Sequence, residues 1–226
     1  MRYSSSVNKG ARGFRGVVGE SKWARLLELG VPRVHGPRVP LLRQGDPGTT
    51  VLVLLSGRVK VFGTEPDGGR LLLALRGAGD LLGEIAARSA SRRTATVETI
   101  DRCTVSVVPA ERFNAFLEEH NGQAALADYS LSKLSQTVPY QVELVHFSPE
   151  RKIARLLLEV VALADDAVAD RYRVPFSQQE LANSLGVVRS TISQHLLRLK
   201  DSGALRQDHG HLVVADPGLL RAFAGL

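Results

Sequence analysis

The chain has 226 residues, 44% of them hydrophobic, and a formal net charge of +6 at pH 7, enough apolar side chain for one large domain or two modest ones. No run of about 18 apolar residues occurs, which excludes a spanning helix, and the N-terminus lacks the apolar core of a signal peptide, so a cytoplasmic protein without membrane attachment is expected. A single cysteine, Cys103, excludes an intramolecular disulfide and an all-cysteine iron–sulfur site within one chain, and its place in the alternation CTVSVV makes it a small buried side chain.

Residues 1–19 hold Arg2, Lys9, Arg12 and Arg15 and no acid, and are expected to form a disordered basic tail. This tail carries +4 of the net charge while the rest is nearly balanced, so charge alone does not argue for nucleic acid. Residues 20–120 are read as a β domain. RQGDPG, LLSGRVKVF, EPDGG and LRGAGD alternate short apolar runs with Gly, Pro and Asp, as many short strands do. Val51–Leu55 is unbroken apolar sequence, expected for a strand buried on both faces. RVKVF alternates as a half-exposed strand does, and PDGG is a hairpin turn because Asp-Gly and Gly-Gly tolerate positive φ. Amphipathic segments begin this region (Trp23, Leu26, Leu27) and follow it (AERFNAFLEEH).

Residues 121–147 turn helical. Leu131, Leu134, Val138, Val142 and Val145 recur at three- and four-residue steps, a narrow apolar seam that calls for a partner helix; packing on the chain's own β domain is the other way to cover it. Pro139 removes the amide that would bond the Ser135 carbonyl, so a kink or break is expected near 138–139. Ser148, Pro149 and Glu150 then restart a helix as N-cap, first-turn proline and first-turn acid, leaving almost no linker before a C-terminal domain of residues 148–226.

That domain carries the most specific signal, FSQQELANSLGVVRSTISQHLLRLKDSGAL. Ser177 caps a predicted helix at about 178–185, Gly186 supplies a left-handed turn residue, and a second helix is predicted at about 189–201. Ala182, Gly186 and Ile192 fall at helix-turn-helix spacing. Arg189, Ser190, Ser193 and Gln194 face outward on the second helix, side chains suited to base edges and phosphates. ALRQDHGHLVVAD reads as a two-stranded wing turning at His209-Gly210. Two histidines at such spacing on a hairpin are not read as a metal site. A metal-dependent barrel enzyme is disfavoured as well, because the strand region offers His35 alone as a histidine ligand. No catalytic residue and no metal ligand is assigned.

The order of β domain, long helix and winged helix resembles the cyclic AMP receptor protein/FNR (CRP/FNR) family of bacterial transcription regulators over about residues 22–215. RQGDPG…LLSGRVKVF is similar to that family's opening strands, and GDLLGEIA…RRTATV to its phosphate-binding cassette. The resemblance implies an α+β protein: an N-terminal double-sheet β-barrel of jelly-roll, cyclic-nucleotide-binding type, a long dimerisation helix, and a C-terminal winged helix-turn-helix. It implies a cyclic nucleotide, cyclic AMP foremost, as allosteric effector, and disfavours the iron–sulfur branch. Carried over by position, Gly83 allows close approach to a phosphate. The amides of Glu84 and Ile85 donate to it, the Glu84 carboxylate takes a ribose hydroxyl, Arg93 rather than Arg92 pairs with the phosphate, and Thr94 adds a hydroxyl. Arg88 is expected on the surface. Thr137 falls where the family has a base-contacting threonine, but Val138 and Pro139 depart from its pattern. An effector-free regulator in which Glu84 pairs with an arginine, or one with a different effector, remains open.

For DNA, Arg189 lies where the family has a guanine-reading arginine, whereas Ser190 and Gln194 replace a common glutamate and a common arginine. Ser177, Gln179 and Thr191 are expected at phosphates. The expected partners are a second copy of the chain, double-stranded DNA with a palindromic site, and RNA polymerase if the protein activates. A module whose helix-turn-helix makes protein contacts instead is the alternative.

Overall fold

The computed structural model describes residues 12–65 and 68–226, without the side chains of 137–141, 143 and 144. The described residues open with two short helices, α1 (Gly13–Val18) and α2 (Glu20–Glu28). Eight strands follow: β1 (Val31–His35), β2 (Pro40–Leu42), β3 (Thr50–Ser56), β4 (Val59–Thr64), β5 (Arg70–Arg76), β6 (Leu81–Leu82), β7 (Thr96–Thr99) and β8 (Cys103–Pro109). A single helical turn and a half, α3 (Glu84–Arg88), interrupts them. The strands form two four-stranded antiparallel sheets, ordered β1-β8-β3-β6 and β2-β7-β4-β5. This is the expected jelly-roll, built as two sheets rather than a closed barrel.

β3 shows why its sequence is apolar throughout. Side chains alternate across a strand, so Leu52 and Leu54 enter the core between the sheets with Val59, Val97 and Val105. Val51 and Val53 face the other way, into a core shared with Phe14, Trp23, Phe113 and Tyr129. Strands β4 and β5 pair in register from Val59↔Arg76 to Thr64↔Arg70, with a bulge at Val61/Phe62. Gly68, at φ 87°, sits beside their turn; Pro66 and Asp67 of the expected turn lie outside the described residues.

Helix α4 (Ala110–Glu119) buries Phe113, Phe116 and Leu117. Helix α5 spans Gln123–His146 in one piece, so of the kink or break expected near 138–139 the chain does not take the break. Proline's fixed φ is compatible with a helix, although it gives up one backbone hydrogen bond and crowds the carbonyl four residues back. Leu126 and Tyr129 of α5 pack on the β domain, while Leu131, Leu134, Val142 and Val145 of the apolar seam are exposed; the Val138 side chain lies outside the described residues.

The basic segment needs a second correction. Residues 1–11, with Arg2 and Lys9, lie outside the described residues, but Gly13–Val18 is an ordered helix. Phe14 is fully buried and meets the Tyr129 ring edge-on at a centroid distance of 5.6 Å. An aromatic ring and Val18 give this stretch an apolar anchor that its charge count conceals.

The C-terminal domain comprises α6 (Pro149–Leu163), α7 (Gln178–Leu185), α8 (Arg189–Asp201), β9 (Leu205–Asp208), β10 (His211–Val214) and α9 (Pro217–Ala224). The Ser148 hydroxyl accepts from the Arg151 amide and caps α6. Ser177 and Glu180 form a reciprocal capping box at the start of α7, and Gly186 takes the left-handed conformation at its end, φ 63° and ψ 37°. Strands β9 and β10 pair antiparallel through a turn in which His209 and Gly210 both have positive φ. Helix α9 has no counterpart among the predicted elements, although Asp216, Pro217 and Gly225 give it an N-cap, a first-turn proline and a left-handed C-terminal glycine.

The two halves share a core. Leu72, Leu75 and Ile100 of the β domain join Ile153, Leu157, Leu181 and Leu185 in one buried cluster. Polar contacts reinforce the joint. Arg58, 1% exposed, donates to both Asp101 carboxylate oxygens at 2.6 and 2.9 Å and to the Val160 carbonyl at 2.6 Å. The Lys60 ammonium bridges Glu98 and Glu180, each at 2.8 Å.

Candidate effector pocket and nucleic-acid interface

A cavity of about 320 Å³ opens between the β2-β7-β4-β5 sheet, α3 and α5. Its walls are largely apolar, with Leu42, Val61, Leu82, Val97 and Leu134 among them. Gly83 sits at the N-terminal end of α3 with φ 80° and ψ 10°, a conformation that costs a side-chain-bearing residue energy. A Cβ there would also collide with the Arg93 guanidinium. Glycine thus lets the backbone reach the arginine.

Arg93 is 5% exposed. Its guanidinium donates to the Gly83 carbonyl at 2.6 Å, to the Thr50 carbonyl at 2.6 Å and to the Thr50 hydroxyl at 3.3 Å, and its Nε has no partner. Burial pushes the arginine below its ordinary pKa, opposed by the fields of Glu84 and Asp46; an arginine stays charged regardless. Glu84 is 4% exposed and accepts from the Lys133 ammonium at 2.8 Å. Lys133, on α5, also donates to the Leu81 carbonyl at 2.9 Å and lies 4.5 Å from the Tyr129 ring centroid. Burial lowers the Lys133 pKa, with the Glu84 carboxylate working against it. The Tyr129 hydroxyl donates to Asp80 at 2.8 Å and accepts from the Leu81 amide at 3.0 Å, and burial raises its pKa well above the ordinary value.

The structure therefore brings Gly83, Glu84, Ile85, Arg93 and Thr94 to one cavity. The Ile85 side chain itself is 59% exposed, so this residue contributes backbone. Arg92 is exposed and donates to the Gly45 carbonyl at 2.7 Å, and Arg88 is exposed and reaches Asn114 and Gln123. The side chain of Thr137 lies outside the described residues. Sequence reasoning missed Lys133 and Arg76, which also line the cavity. Lys133 had a signal: it stands four residues before Thr137, one helical turn away on the same face. The carboxylate's partner is this lysine rather than an arginine.

On the C-terminal domain, Arg189, Ser190 and Gln194 are exposed and Thr191 is half-buried. Ser193 instead ties the two helices together, donating to Gln178 at 2.7 Å. Gln179 is exposed and donates to Asn183 at 2.9 Å. The Ser177 hydroxyl accepts from the Glu180 amide at 3.2 Å, leaving its proton to donate elsewhere. Among the described residues no group of three or more His, Cys, Asp or Glu side chains is gathered as a metal would need, and no helix is long and apolar enough to cross a membrane.

Two family models match the chain: the cyclic nucleotide-binding domain over residues 33–120 and the Crp-like helix-turn-helix domain over residues 151–223. The chain belongs to the CRP/FNR family of transcription regulators. It is 28% identical to the nitrogen fixation regulation protein FixK of Bradyrhizobium diazoefficiens, over 79% of this chain and 76% of that protein. It is 25% identical to the cyclic AMP receptor protein of Thermus thermophilus, over 85% of this chain and 87% of that one. A solved CRP-family transcriptional regulator from Thermus thermophilus shares the fold at a TM-score of 0.73 with 22% identity, covering 86% of this chain and 97% of its own. As a CRP/FNR-family member the protein is a DNA-binding regulator with a cyclic nucleotide-binding domain, not an enzyme.

Proposed function

We propose that this regulator acts as a homodimer on a palindromic DNA site and is set by a cyclic nucleotide, cyclic AMP foremost, bound in the cavity beside Arg93. The observation that carries this reading is the convergence of Gly83, Glu84, Arg93 and Thr94 on one largely apolar cavity whose far wall is α5. In it the phosphate pairs with Arg93, whose Nε is unpartnered, and takes the Thr94 hydroxyl and the first amides of α3 as further donors. The ribose hydroxyl goes to Glu84, which then shares or releases Lys133. Because Lys133 belongs to α5, that exchange is felt on the helix that carries the exposed seam of Leu131, Leu134, Val142 and Val145. Such a seam supports pairing with a second copy through α5.

On DNA, Arg189 takes O6 and N7 of a guanine bidentately, with Ser190 and Gln194 beside it at base edges. Ser177, Gln179 and Thr191 hold phosphates and set register. A dimer places its two recognition helices about one helical turn of DNA apart.

One observation favours a second reading, a regulator without a small effector: Glu84 is already paired with Lys133, and two Arg93 nitrogens already serve carbonyls. Calorimetry separates the two. Cyclic AMP or cyclic GMP should give binding heat with the wild-type protein and none with Arg93→Ala; silence from the wild type would favour the second reading. Arg189→Ala should lose roughly 1–3 kcal/mol of preference for the operator over random DNA, and an unchanged preference would remove Arg189 from base reading.

A further inference from the structure

Arg76, the last residue of β5, lines the same cavity and is nine-tenths buried. Its guanidinium makes one hydrogen bond, from Nη1 to the neighbouring Leu75 carbonyl at 2.8 Å, and no described carboxylate pairs with it. The nearby acids are engaged elsewhere. Glu84 holds Lys133, and Asp80 accepts from the Tyr129 hydroxyl and the Gly77 amide. Among the described residues, the charged side chains lining the cavity are thus Arg76, Arg93 and Lys133 against Glu84. Arg76 is close enough to depress the Lys133 pKa further. The Arg76 Nε and Nη2 have neither a described protein partner nor full burial, so they are open to an anionic group besides the one at Arg93.

We infer that the effector is a mononucleotide-sized molecule with two separated anionic groups, one held at Arg93 and the other at Arg76. This rests on the effector reading above for the pocket and its phosphate at Arg93, and replaces the cyclic mononucleotide, which has one anionic group, with a nucleotide that carries two. A volume of about 320 Å³ is at the small end of ligand sites, which suits one nucleoside carrying two phosphates better than a cyclic dinucleotide.

Calorimetry on the full chain with cyclic AMP, cyclic GMP, the adenosine and guanosine 3′,5′-bisphosphates and cyclic di-GMP tests this. The expected result is that one bisphosphate binds at least about tenfold tighter than either cyclic mononucleotide, that Arg76→Leu erases this preference, and that Arg93→Ala weakens both classes. A cyclic mononucleotide that binds as tightly as the bisphosphates, or a preference that survives Arg76→Leu, would overturn the second subsite while leaving the effector reading standing. Tightest binding by cyclic di-GMP would overturn the size assignment. Failure of every nucleotide to bind would overturn the effector reading and this inference with it. Melting of the ligand-free protein adds an independent readout. Arg76→Leu should raise the midpoint, because it removes a largely buried charge that no described carboxylate pairs with. A lower midpoint with loss of the dimer would overturn the subsite by assigning Arg76 to a carboxylate of the second copy.

Discussion

At the scale of residues, the cavity is governed by which charges are paired. The side chains of Glu84 and Lys133 are 5% and 16% exposed, so removing one partner leaves the other buried and unmatched. Lys133→Met should cost about 3 kcal/mol in a denaturant titration, and the double variant Glu84→Gln/Lys133→Met should recover most of it. Cys103 gives a prediction with a pH sign. It is fully buried, and burial, with Asp101 next in effect, pushes its thiol up to about 12. A thiol whose pKa is higher in the folded than in the unfolded chain adds stability that is complete below the unfolded value of about 8.5 and is lost as pH rises toward 12. Native protein at about pH 8, below that unfolded value, should resist iodoacetamide and react after unfolding; rapid native alkylation would contradict the burial. Little of this pairing was legible in the sequence. The cassette residues were, because GE and RT occur at spacings tied to a known chemistry. Arg76 was not, because LLLALR reads as an ordinary strand end and nothing local says that its guanidinium turns inward.

At the scale of elements, legibility followed how local the determining forces are. The capping box of Ser177 and Glu180, the left-handed Gly186 and the His209-Gly210 turn are set by neighbours in the chain, and both helix-turn-helix helices lie where their punctuation puts them. Helix α1 was missed because its burial depends on Tyr129, far away in the chain. Of the kink or break expected near Pro139, the break does not occur inside this 24-residue helix. Capping also yields a measurable effect. Ser177→Ala should destabilise the protein by about 1 kcal/mol by removing the acceptor for the Glu180 amide. Gly83→Ala should abolish nucleotide binding, since its Cβ displaces Arg93; calorimetric heat equal to wild type would show that Arg93 can be displaced without consequence.

At the scale of the whole molecule, the β domain and the DNA-binding domain are one mechanical unit. Leu72 and Leu75 of β5 share a core with α6 and α7, Arg58 is clamped between Asp101 and the Val160 carbonyl, and Lys60 joins Glu98 to Glu180 at the start of the helix-turn-helix. Domains joined through a common core should melt in a single calorimetric transition, and Arg58→Ala should lower its midpoint sharply by leaving Asp101 and a buried carbonyl unpaired. The β4–β5 hairpin touches both regions, with Arg76 at the cavity and Lys60 at Glu180 of the helix-turn-helix. Filling the cavity should change DNA binding. The most direct test is the affinity of the full chain for an operator selected from genomic fragments, measured by fluorescence anisotropy with and without the nucleotide that binds tightest. The expected result is a shift of at least about fivefold in the wild-type protein, of the size typical of allosteric coupling, and none in Arg93→Ala. Identical operator affinity with and without every nucleotide would contradict it.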